Sequence, residues 1–288
     1  MKIAQLGLGL MGIPIALRLQ QQGFDITGWN RGGEQLERAA EQGLAVSRDL
    51  AAAVGAADLL VLTLSDKKAI EGVLFSTGSK LSLAGKRVLQ MGTIGLAESR
   101  EIAARCEAAG ARYLEAPVLG SIPEAKAGTL IIMAGGDAAD YDACLPLLEA
   151  LGQAPERVGA VGQGAALKLA MNQLIASLTT GFSLSLGLVR SEGLDVERFM
   201  ALLRTSALYA PTFDKKLGKM MTHDYANPNF PLKHLIKDVD LFTRVARECG
   251  IDPSVPEALS AQLEKGRDMG LADEDYSALC ESVNPQRD

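Results

Sequence analysis

The chain has 288 residues, which is more than a single hydrophobic core usually supports and is enough for two domains. Its residues are 48% hydrophobic and 22% charged, as in an average water-soluble domain, and no apolar run in the sequence reaches the length of a membrane span. The formal net charge of −6 gives no electrostatic support to nucleic-acid binding.

The first strand, Lys2–Leu6, runs directly into a glycine-rich segment that a helix-forming stretch follows. In a dinucleotide-binding fold, Gly7 permits the tight turn, Gly9 lets the backbone approach the pyrophosphate, and Gly12 lets the helix pack close to the strand. The N–H groups at the start of the helix then face the phosphates. The segment predicts cofactor binding by Gly7, Leu8, Gly9, Leu10, Met11 and Gly12.

The second strand, residues 24–29, ends at Asn30 and Arg31. An NAD-binding chain usually has Asp or Glu there, which bonds the ribose 2′-hydroxyl. A carboxylate would repel a 2′-phosphate, whereas a guanidinium pairs with one in a fork geometry. Asn30 and Arg31 therefore predict NADP(H) rather than NAD(H).

The rest of the first half continues to alternate strands and helices, and Val46 is predicted to begin a further short strand. This rhythm predicts an α/β fold with a doubly wound, mainly parallel sheet. Ligands of such sheets bind at the carboxyl ends of the strands, which adds Leu64, Ser65 and Thr93 to the predicted cofactor site. The predicted strands are 58–64, 87–91, 112–116 and 130–134, and the predicted helices are 70–75, 97–109 and 138–151.

Helical periodicity dominates after Gly162. Residues 165–192 read as one long apolar helix, which should be buried within a domain or between subunits. We therefore predict two domains, residues 1–161 and residues 162–288, the second all-helical and beginning with this helix. Its other predicted features are helices at 196–204, 233–249 and 256–269, breaks at Pro211, Pro228 and Pro231, and a frayed end at 284–288.

Two segments have the composition of a reaction site. In the first, residues 115–121, Pro117 and Gly120 predict a shaped loop after a strand, and its N–H groups can bind a carboxylate. In the second, Lys168 and Asn172 are four residues apart in an apolar stretch and share one helix face. Burial lowers the pKa of an ammonium, which suits a proton donor, although a lysine near a helix start can also reach solvent.

Together these motifs resemble the β-hydroxyacid dehydrogenase family, which includes 3-hydroxyisobutyrate dehydrogenases and glyoxylate/succinic semialdehyde reductases. The resemblance covers nearly the whole chain, in four ordered motifs. Asn30-Arg31 and the last motif are most similar to the NADPH-using glyoxylate/succinic semialdehyde reductase branch. The motifs are residues 7–14, residues 115–121 with 128–130, residues 162–172, and residues 230–234 with Lys237 and Asp238.

The resemblance implies a Rossmann-type N-terminal domain and an all-helical C-terminal domain, with the active site between them. It implies that Lys168 is the general acid/base and that Asn172 orients it or the substrate. Thr93, Gly120 and Ser121 would bind the substrate, with Asp238 in support. Lys237 would lie on the nicotinamide side of NADP(H). The implied reaction is NADPH-dependent reduction of a small carboxylated aldehyde to the hydroxy acid.

One residue departs from the family pattern. The family usually has serine after the valine of the second motif, and this chain has Leu119. The missing hydroxyl leaves the exact substrate open. Two alternatives stay open as well: an NADPH-dependent imine reductase, and a non-catalytic NADP-binding sensor or scaffold.

The cysteines and histidines give no sign of a metal site or of disulfide bonds. The four cysteines have no C-x-x-C spacing, and the two histidines, His223 and His234, lie far from any pair of carboxylates. The first strand begins at Lys2, which leaves no room for a signal peptide. We therefore expect reduced thiols, a cytoplasmic location, no metal, and a small-molecule substrate. The apolar long helix predicts a homodimer or homotetramer formed through the helical domain.

Overall fold

The computed structural model describes residues 1–76 and 81–284. The chain divides into two compact units, Met1–Lys168 and Leu169–Asp288. The division falls inside one continuous helix, so the boundary predicted at residue 162 stays a prediction. The sequence predicts a frayed end at 284–288, of which residues 285–288 lie outside the described residues. Asn284 is held in place, because its Nδ2 donates to the carbonyl oxygen of Ser183 at 2.6 Å.

The first unit alternates strands and helices, as predicted. Its elements in chain order are β1 (Lys2–Leu6), α1 (Gly12–Gln21), β2 (Asp25–Trp29), α2 (Gly33–Glu41), α3 (Leu50–Ala56), β3 (Leu59–Leu62), α4 (Lys67–Leu74), β4 (Arg87–Gln90), α5 (Leu96–Ala108), β5 (Arg112–Glu115), β6 (Val118–Leu119), α6 (Ile122–Ala127), β7 (Ile131–Gly135), α7 (Ala138–Leu151), β8 (Glu156–Gly159) and the start of α8 (Gln163–Ser191).

The strands form a doubly wound, mainly parallel sheet, which confirms the predicted fold class. Five strands pair in parallel in the order β2-β1-β3-β4-β5. Beyond β5, β7 pairs antiparallel with β5 and β6 and parallel with β8. Val46 forms one isolated bridge with Gly28, so the short strand predicted there is wrong.

The sheet separates two hydrophobic clusters, because successive side chains of a strand point to opposite faces. In β3, Leu59 and Val61 join the cluster that includes α1 and α7, whereas Leu60 and Leu62 join the one that includes α4 and α5. All four side chains are fully buried. Covered strands of this kind read as continuous apolar runs, which explains why the sequence identified them.

The second unit is helical, as predicted. It contains most of α8, followed by α9 (Val196–Arg204), α10 (Pro211–Thr222), α11 (Leu232–Glu248), α12 (Ser254–Asp268), a 3₁₀ turn (Tyr276–Ala278) and α13 (Leu279–Val283). Two hydrophobic clusters hold these helices together. Pro211 was predicted to break the chain, but it lies in the first turn of α10, where the missing N–H costs nothing.

Helix α8 is long and apolar enough to cross a membrane by length and composition, contrary to the expectation from the sequence. Of its most apolar 18-residue window, 39% is buried inside the protein. A buried core helix meets the same criteria, and Ala176, Phe182 and Leu186 of α8 belong to the clusters of the second unit.

Candidate active site

The glycine-rich loop between β1 and α1 has the shape that a pyrophosphate requires. Gly7 has φ +99°, and a Cβ there would lie 2.7 Å from the carbonyl oxygen of Thr63. At Gly12 a Cβ would lie 2.7 Å from Thr63 Oγ1, whereas a Cβ at Gly9 would meet nothing within 4 Å. Helix α1 has no acidic residue in its first turn and no side-chain cap. The loop therefore leaves open backbone at Gly9 and a helix start without a competing carboxylate.

Two polar residues that the sequence reasoning missed hold this loop. Thr63, at the end of β3, donates to the carbonyl oxygen of Gly7 at 2.7 Å. Gln5 is fully buried in β1, and its Nε2 donates to Thr63 Oγ1 at 2.8 Å. The sequence did carry a signal, because Gln5 is a polar residue inside an apolar strand and Thr63 directly follows one. Their partners became apparent only once β1 and β3 were adjacent.

Asn30 connects the glycine loop with the next loop of the sheet edge. Its Oδ1 accepts from the N–H of Leu8 at 3.1 Å, and its Nδ2 donates to the carbonyl oxygen of Gly32 and to Gln35 Oε1. The adjacent Arg31 is exposed, and no hydrogen bond or ion pair to a described residue engages its guanidinium. Asn30 thus orders the loop, and Arg31 is available to an anion.

The carboxyl ends of β3 and β4 lie beside the glycine loop. A Cβ at Gly92 would lie 2.6 Å from the carbonyl oxygen of Leu64, so the two chain segments touch. Gln90 clamps Gly92, accepting from its N–H at 2.5 Å and donating to its carbonyl oxygen at 3.0 Å. Thr93 follows and is half-buried. The structure therefore places the predicted cofactor residues of the sheet edge together: Gly7 to Gly12, Asn30, Leu64, Ser65 and Thr93.

The predicted substrate loop is shaped as expected but already holds a carboxylate. Gly120 has φ +130°, and Ser121 caps α6. The N–H and hydroxyl of Ser121 both donate to Glu124 Oε2, at 2.8 and 2.7 Å. The Ser121 N–H is one of the donors that the sequence assigned to a substrate carboxylate. An anionic substrate therefore competes with Glu124 for Ser121, and Leu119 supplies no hydroxyl in its place.

Lys168 lies in the second turn of α8 and is 8% exposed. The alternative of a lysine that reaches freely into solvent does not describe this side chain. Burying an ammonium is costly unless it has a partner or a role. Lys168 does make a polar interaction within the described structure.

In the second unit, Asn172 belongs to a buried polar network. Its Nδ2 donates to Asp238 Oδ2 at 2.5 Å, and Asp238 forms an ion pair with Lys237 at 3.0 Å. Asn172 and Asp238 are 1% and 2% exposed. Asn172 Oδ1 is buried and has no hydrogen-bond partner among the described residues. The network thus fixes the amide and leaves one buried acceptor that no described residue uses.

His234 lies one helical turn before Asp238 on α11. Its ring stacks on Phe230 at a centroid distance of 6.3 Å. Burial, and then the charge of Lys237, lower the pKa of His234 below its usual value of 6.5. The motif around residues 230–238 is therefore a packed segment in which His234 is neutral at pH 7.

In the described residues, no metal cluster is apparent, and Cys106 and Cys144 are buried thiols. No group of three or more His, Cys, Asp or Glu residues is placed to hold a metal ion in residues 1–76 and 81–284. Burial raises the pKa of Cys106 to about 12 and that of Cys144 to about 11, which keeps both as thiols.

Comparison with known proteins agrees with this geometry. Residues 2–162 match the model of the NAD binding domain of 6-phosphogluconate dehydrogenase. Residues 162–283 match the NAD-binding domain of NADP-dependent 3-hydroxyisobutyrate dehydrogenase. The fold and the two matched models define an NAD(P)-dependent oxidoreductase that binds NADP(H).

The chain belongs to the β-hydroxyacid dehydrogenase family, of the 3-hydroxyisobutyrate dehydrogenase type. It is 33% identical to glyoxylate/succinic semialdehyde reductase 1 of Arabidopsis thaliana over 290 aligned residues, covering 100% of each chain. Among solved structures, 3-hydroxyisobutyrate dehydrogenase from Salmonella typhimurium superimposes with a TM-score of 0.86 at 21% identity, covering 97% of this chain and 99% of the other. A reductive aminase from Aspergillus terreus in complex with NADPH and ethyl-5-oxohexanoate has a TM-score of 0.65 at 27% identity, covering 96% and 97%.

Proposed function

We propose that this protein reduces a small carboxylated aldehyde, such as glyoxylate or succinic semialdehyde, to the hydroxy acid, with Lys168 as the general acid. Bound NADPH supplies the hydride to the aldehyde carbon. Lys168, as the ammonium, donates a proton to the oxygen on which negative charge develops. Oxidation of the hydroxy acid follows the same path in reverse, with Lys168 as the base.

The observation that carries this proposal is the burial of Lys168 to 8% exposure in an apolar stretch of α8. A lysine that had only a solubilising role would lie at the surface. Asn172 stands one helical turn later with a buried acceptor that no described residue uses. That acceptor suits an ammonium or a substrate hydroxyl, and Asp238 keeps the amide in place.

The substrate class rests on the 33% identity to a glyoxylate/succinic semialdehyde reductase over the full chain. The loop at residues 119–124 modifies that proposal, because Glu124 occupies the donors of Ser121. An aldehyde long enough to place its carboxylate away from Ser121 avoids that competition. We therefore expect succinic semialdehyde, with its longer spacer, to be reduced more efficiently than glyoxylate.

Replacing Lys168 tests the proposed acid. Lys168→Met keeps the length and the apolar stem but removes the proton donor, so kcat should fall about a hundredfold or more while the affinity for NADPH is unchanged. Lys216→Met is the matched control, because Lys216 is also largely buried and is paired with Asp275. The control should lower the melting temperature and leave kcat alone. A Lys168→Met enzyme with near-normal kcat contradicts the assignment.

Imine reduction is the second candidate, and one observation favours it. Leu119 and the Glu124-capped Ser121 give the loop less capacity for a carboxylate than the family pattern provides. The chain is also similar to the reductive aminase described above. Turnover of cyclic imines without turnover of aldehydes would select this candidate.

We further propose that the protein is a homo-oligomer that associates through α8. Its exposed face carries leucines that a monomer would leave in water: Leu174, Leu178, Leu184 and Leu188 are 55%, 38%, 53% and 65% exposed. Leu174, Leu178 and Leu188 recur at spacings that keep them on one side of the helix. Exposed leucines repeated along one side of a helix are typical of an interaction surface.

A further inference from the structure

Glu115 is a buried carboxylate that the proposed reaction leaves without a role. It is the last residue of β5 and is 1% exposed. Its Oε1 accepts from the N–H groups of Gly162 and Gly164 at 2.8 Å and from that of Ala165 at 3.1 Å. Gly164 and Ala165 belong to the first turn of α8, where backbone N–H groups have no partner within the helix.

The other carboxylate oxygen is held from the opposite side. The Ser99 hydroxyl donates to Glu115 Oε2, and Ser99 Oγ lies 2.8 Å from the Tyr113 hydroxyl. All three side chains are buried. Burial raises the pKa of Glu115, while the hydrogen bonds from Ser99 and from the start of α8 act in the opposite direction. The carboxylate is therefore fixed at both oxygens.

The backbone around Glu115 is built to let α8 approach closely. A Cβ at Gly135 or at Gly164 would lie under 3.0 Å from a neighbouring atom: Glu115 Oε1 in the first case, the carbonyl oxygen of Met133 in the second. Only glycine fits at either position. The start of α8 is thus fixed against β7 by contact and against β5 by three hydrogen bonds to one oxygen.

This arrangement differs from an ordinary helix cap. The usual cap is a Ser, Thr, Asp or Asn at the first position of the helix itself. Here the acceptor comes from a strand 47 to 50 residues earlier in the chain, and it brings a buried negative charge that is costly to desolvate. A local cap would satisfy the same N–H groups at lower cost. What Glu115 adds is a fixed distance between the end of β5 and the start of α8.

Glu115 connects β5 with α8, and both of these elements continue into residues of the proposed reaction site. Lys168 follows Gly164 by four residues, so it lies on the same face of α8, about 6 Å further along the axis. The predicted substrate segment, residues 115–121, begins at Glu115 itself. A shift or rotation of α8 at its first turn therefore moves the Lys168 amine relative to the substrate loop.

We propose that Glu115 is a positioning residue for catalysis, which sets the axial position and rotation of α8 and thereby the location of the Lys168 amine. The inference rests on the proposed role of Lys168 as the acid. Glu115 does not touch the reacting atoms. It acts through the helix, while Ser99, itself in contact with the Tyr113 hydroxyl, holds the second carboxylate oxygen.

Two substitutions separate position from charge. Glu115→Asp keeps the charge but withdraws the carboxylate by one methylene, about 1.5 Å, and misplacement on that scale costs about a hundredfold in rate. Glu115→Gln keeps the shape and removes the charge, so we expect a loss of about tenfold. In both variants kcat should fall while KM and the NADPH dissociation constant, measured by fluorescence, stay within about twofold. This pattern is typical of an interaction that is made only in the transition state.

Asp140→Asn is the matched control. Asp140 is another buried acid of the first unit, 3% exposed, and is held by Arg87 and Arg112 rather than by α8. Its loss should lower the melting temperature and leave kcat within twofold. Amide hydrogen exchange of the peptide covering residues 160–168 adds a readout independent of turnover. Exchange there should accelerate about tenfold in Glu115→Gln and stay unchanged in Asp140→Asn.

The possible results separate the positioning role of Glu115 from the proposed role of Lys168. Normal kcat in both Glu115 variants, with Lys168→Met inactive, overturns the positioning role and leaves the proposed reaction intact. Normal kcat in Lys168→Met overturns the proposed acid, and with it the catalytic meaning of Glu115. If Glu115→Asp does not fold, Ser99→Ala removes only the outer hydrogen bond. A several-fold loss of kcat at unchanged KM then supports the proposal, and no loss overturns it.

Discussion

Arg31 lies beyond the end of β2 and follows Asn30, whose side chain ties the glycine loop to the loop after β2. The Arg31 guanidinium has no hydrogen-bond or ion-pair partner among the described residues. A bidentate pair between arginine and a phosphate is a charge-assisted interaction worth more than a neutral hydrogen bond. Arg31 is therefore the side chain that selects the 2′-phosphate in this account.

Arg31→Asp should weaken NADPH binding about ten- to a hundredfold and improve NADH binding, because a charge-assisted bond is worth about 1.5–3 kcal/mol and the new carboxylate repels phosphate. Fluorescence titration with both nucleotides measures the ratio directly. Arg38→Asp makes the same charge change in the last turn of α2 and serves as the control. Equal effects of the two substitutions would mean that Arg31 contributes only to the overall charge of the surface and does not bind the 2′-phosphate specifically.

The sequence identified the residues whose type is unusual in its surroundings. Lys168 and Asn172 were recognisable because they are polar residues in an apolar helix, and Arg31 because it replaces an acid at a fixed distance from the glycines. Glu115, Thr63 and Gln5 were not assigned roles. Their roles depend on partners up to 58 residues away, which a spacing argument within one element cannot supply.

At the scale of elements, the glycines of the β1–α1 loop are required for different reasons. Gly12 is a packing glycine, because a Cβ would lie under 3.0 Å from Gly7 O and Thr63 Oγ1. Gly9 meets nothing within 4 Å, so no contact with a described residue requires glycine there, and we expect its open backbone to face the pyrophosphate. The sequence motif predicts the same two roles: close packing at Gly12 and approach of the backbone to the pyrophosphate at Gly9.

The two glycines should therefore fail in different ways when replaced by alanine. Gly12→Ala should lower the melting temperature by several degrees, because backbone atoms must move. Gly9→Ala should leave the melting temperature of the cofactor-free protein nearly unchanged and weaken NADPH binding at least tenfold, because its methyl group blocks the pyrophosphate. Gly55→Ala, in α3 with open space around it, is the control and should be neutral or slightly stabilising. Thermal melts with and without NADPH distinguish the three variants. Tight NADPH binding by Gly9→Ala would show that the cofactor lies elsewhere.

Among the helices missed from the sequence, α3 and α6 are short, but their starts carried recognisable signals. Asp49 caps α3 by accepting from the N–H groups of Ala51 and Ala52, and Ser121 with Glu124 forms a capping box at α6. Short helices bury too few residues for periodicity to show. The antiparallel direction of β7 has a different cause, since strand direction follows from tertiary pairing and not from the composition of the strand itself.

At the scale of the whole molecule, the exposed leucines of α8 predict an assembly larger than the 30.4 kDa chain. Sedimentation should give at least twice that mass at micromolar concentration. Leu174→Gln combined with Leu188→Gln should shift the protein toward the monomer. Leu202→Gln, which replaces a leucine of α9 that is 69% exposed, should not. A wild-type protein that sediments as a monomer would contradict the proposed association.

The most direct test of the whole account is the oxidation of NADPH, followed at 340 nm, with succinic semialdehyde, glyoxylate and a cyclic imine, each repeated with NADH. The account predicts turnover of a carboxylated aldehyde with NADPH preferred, and its loss in Lys168→Met. Tight binding of NADPH with no turnover of any aldehyde would contradict the proposed reaction. In that case, turnover of the imine would identify an imine reductase. No turnover of any substrate would identify a protein that only binds the nucleotide.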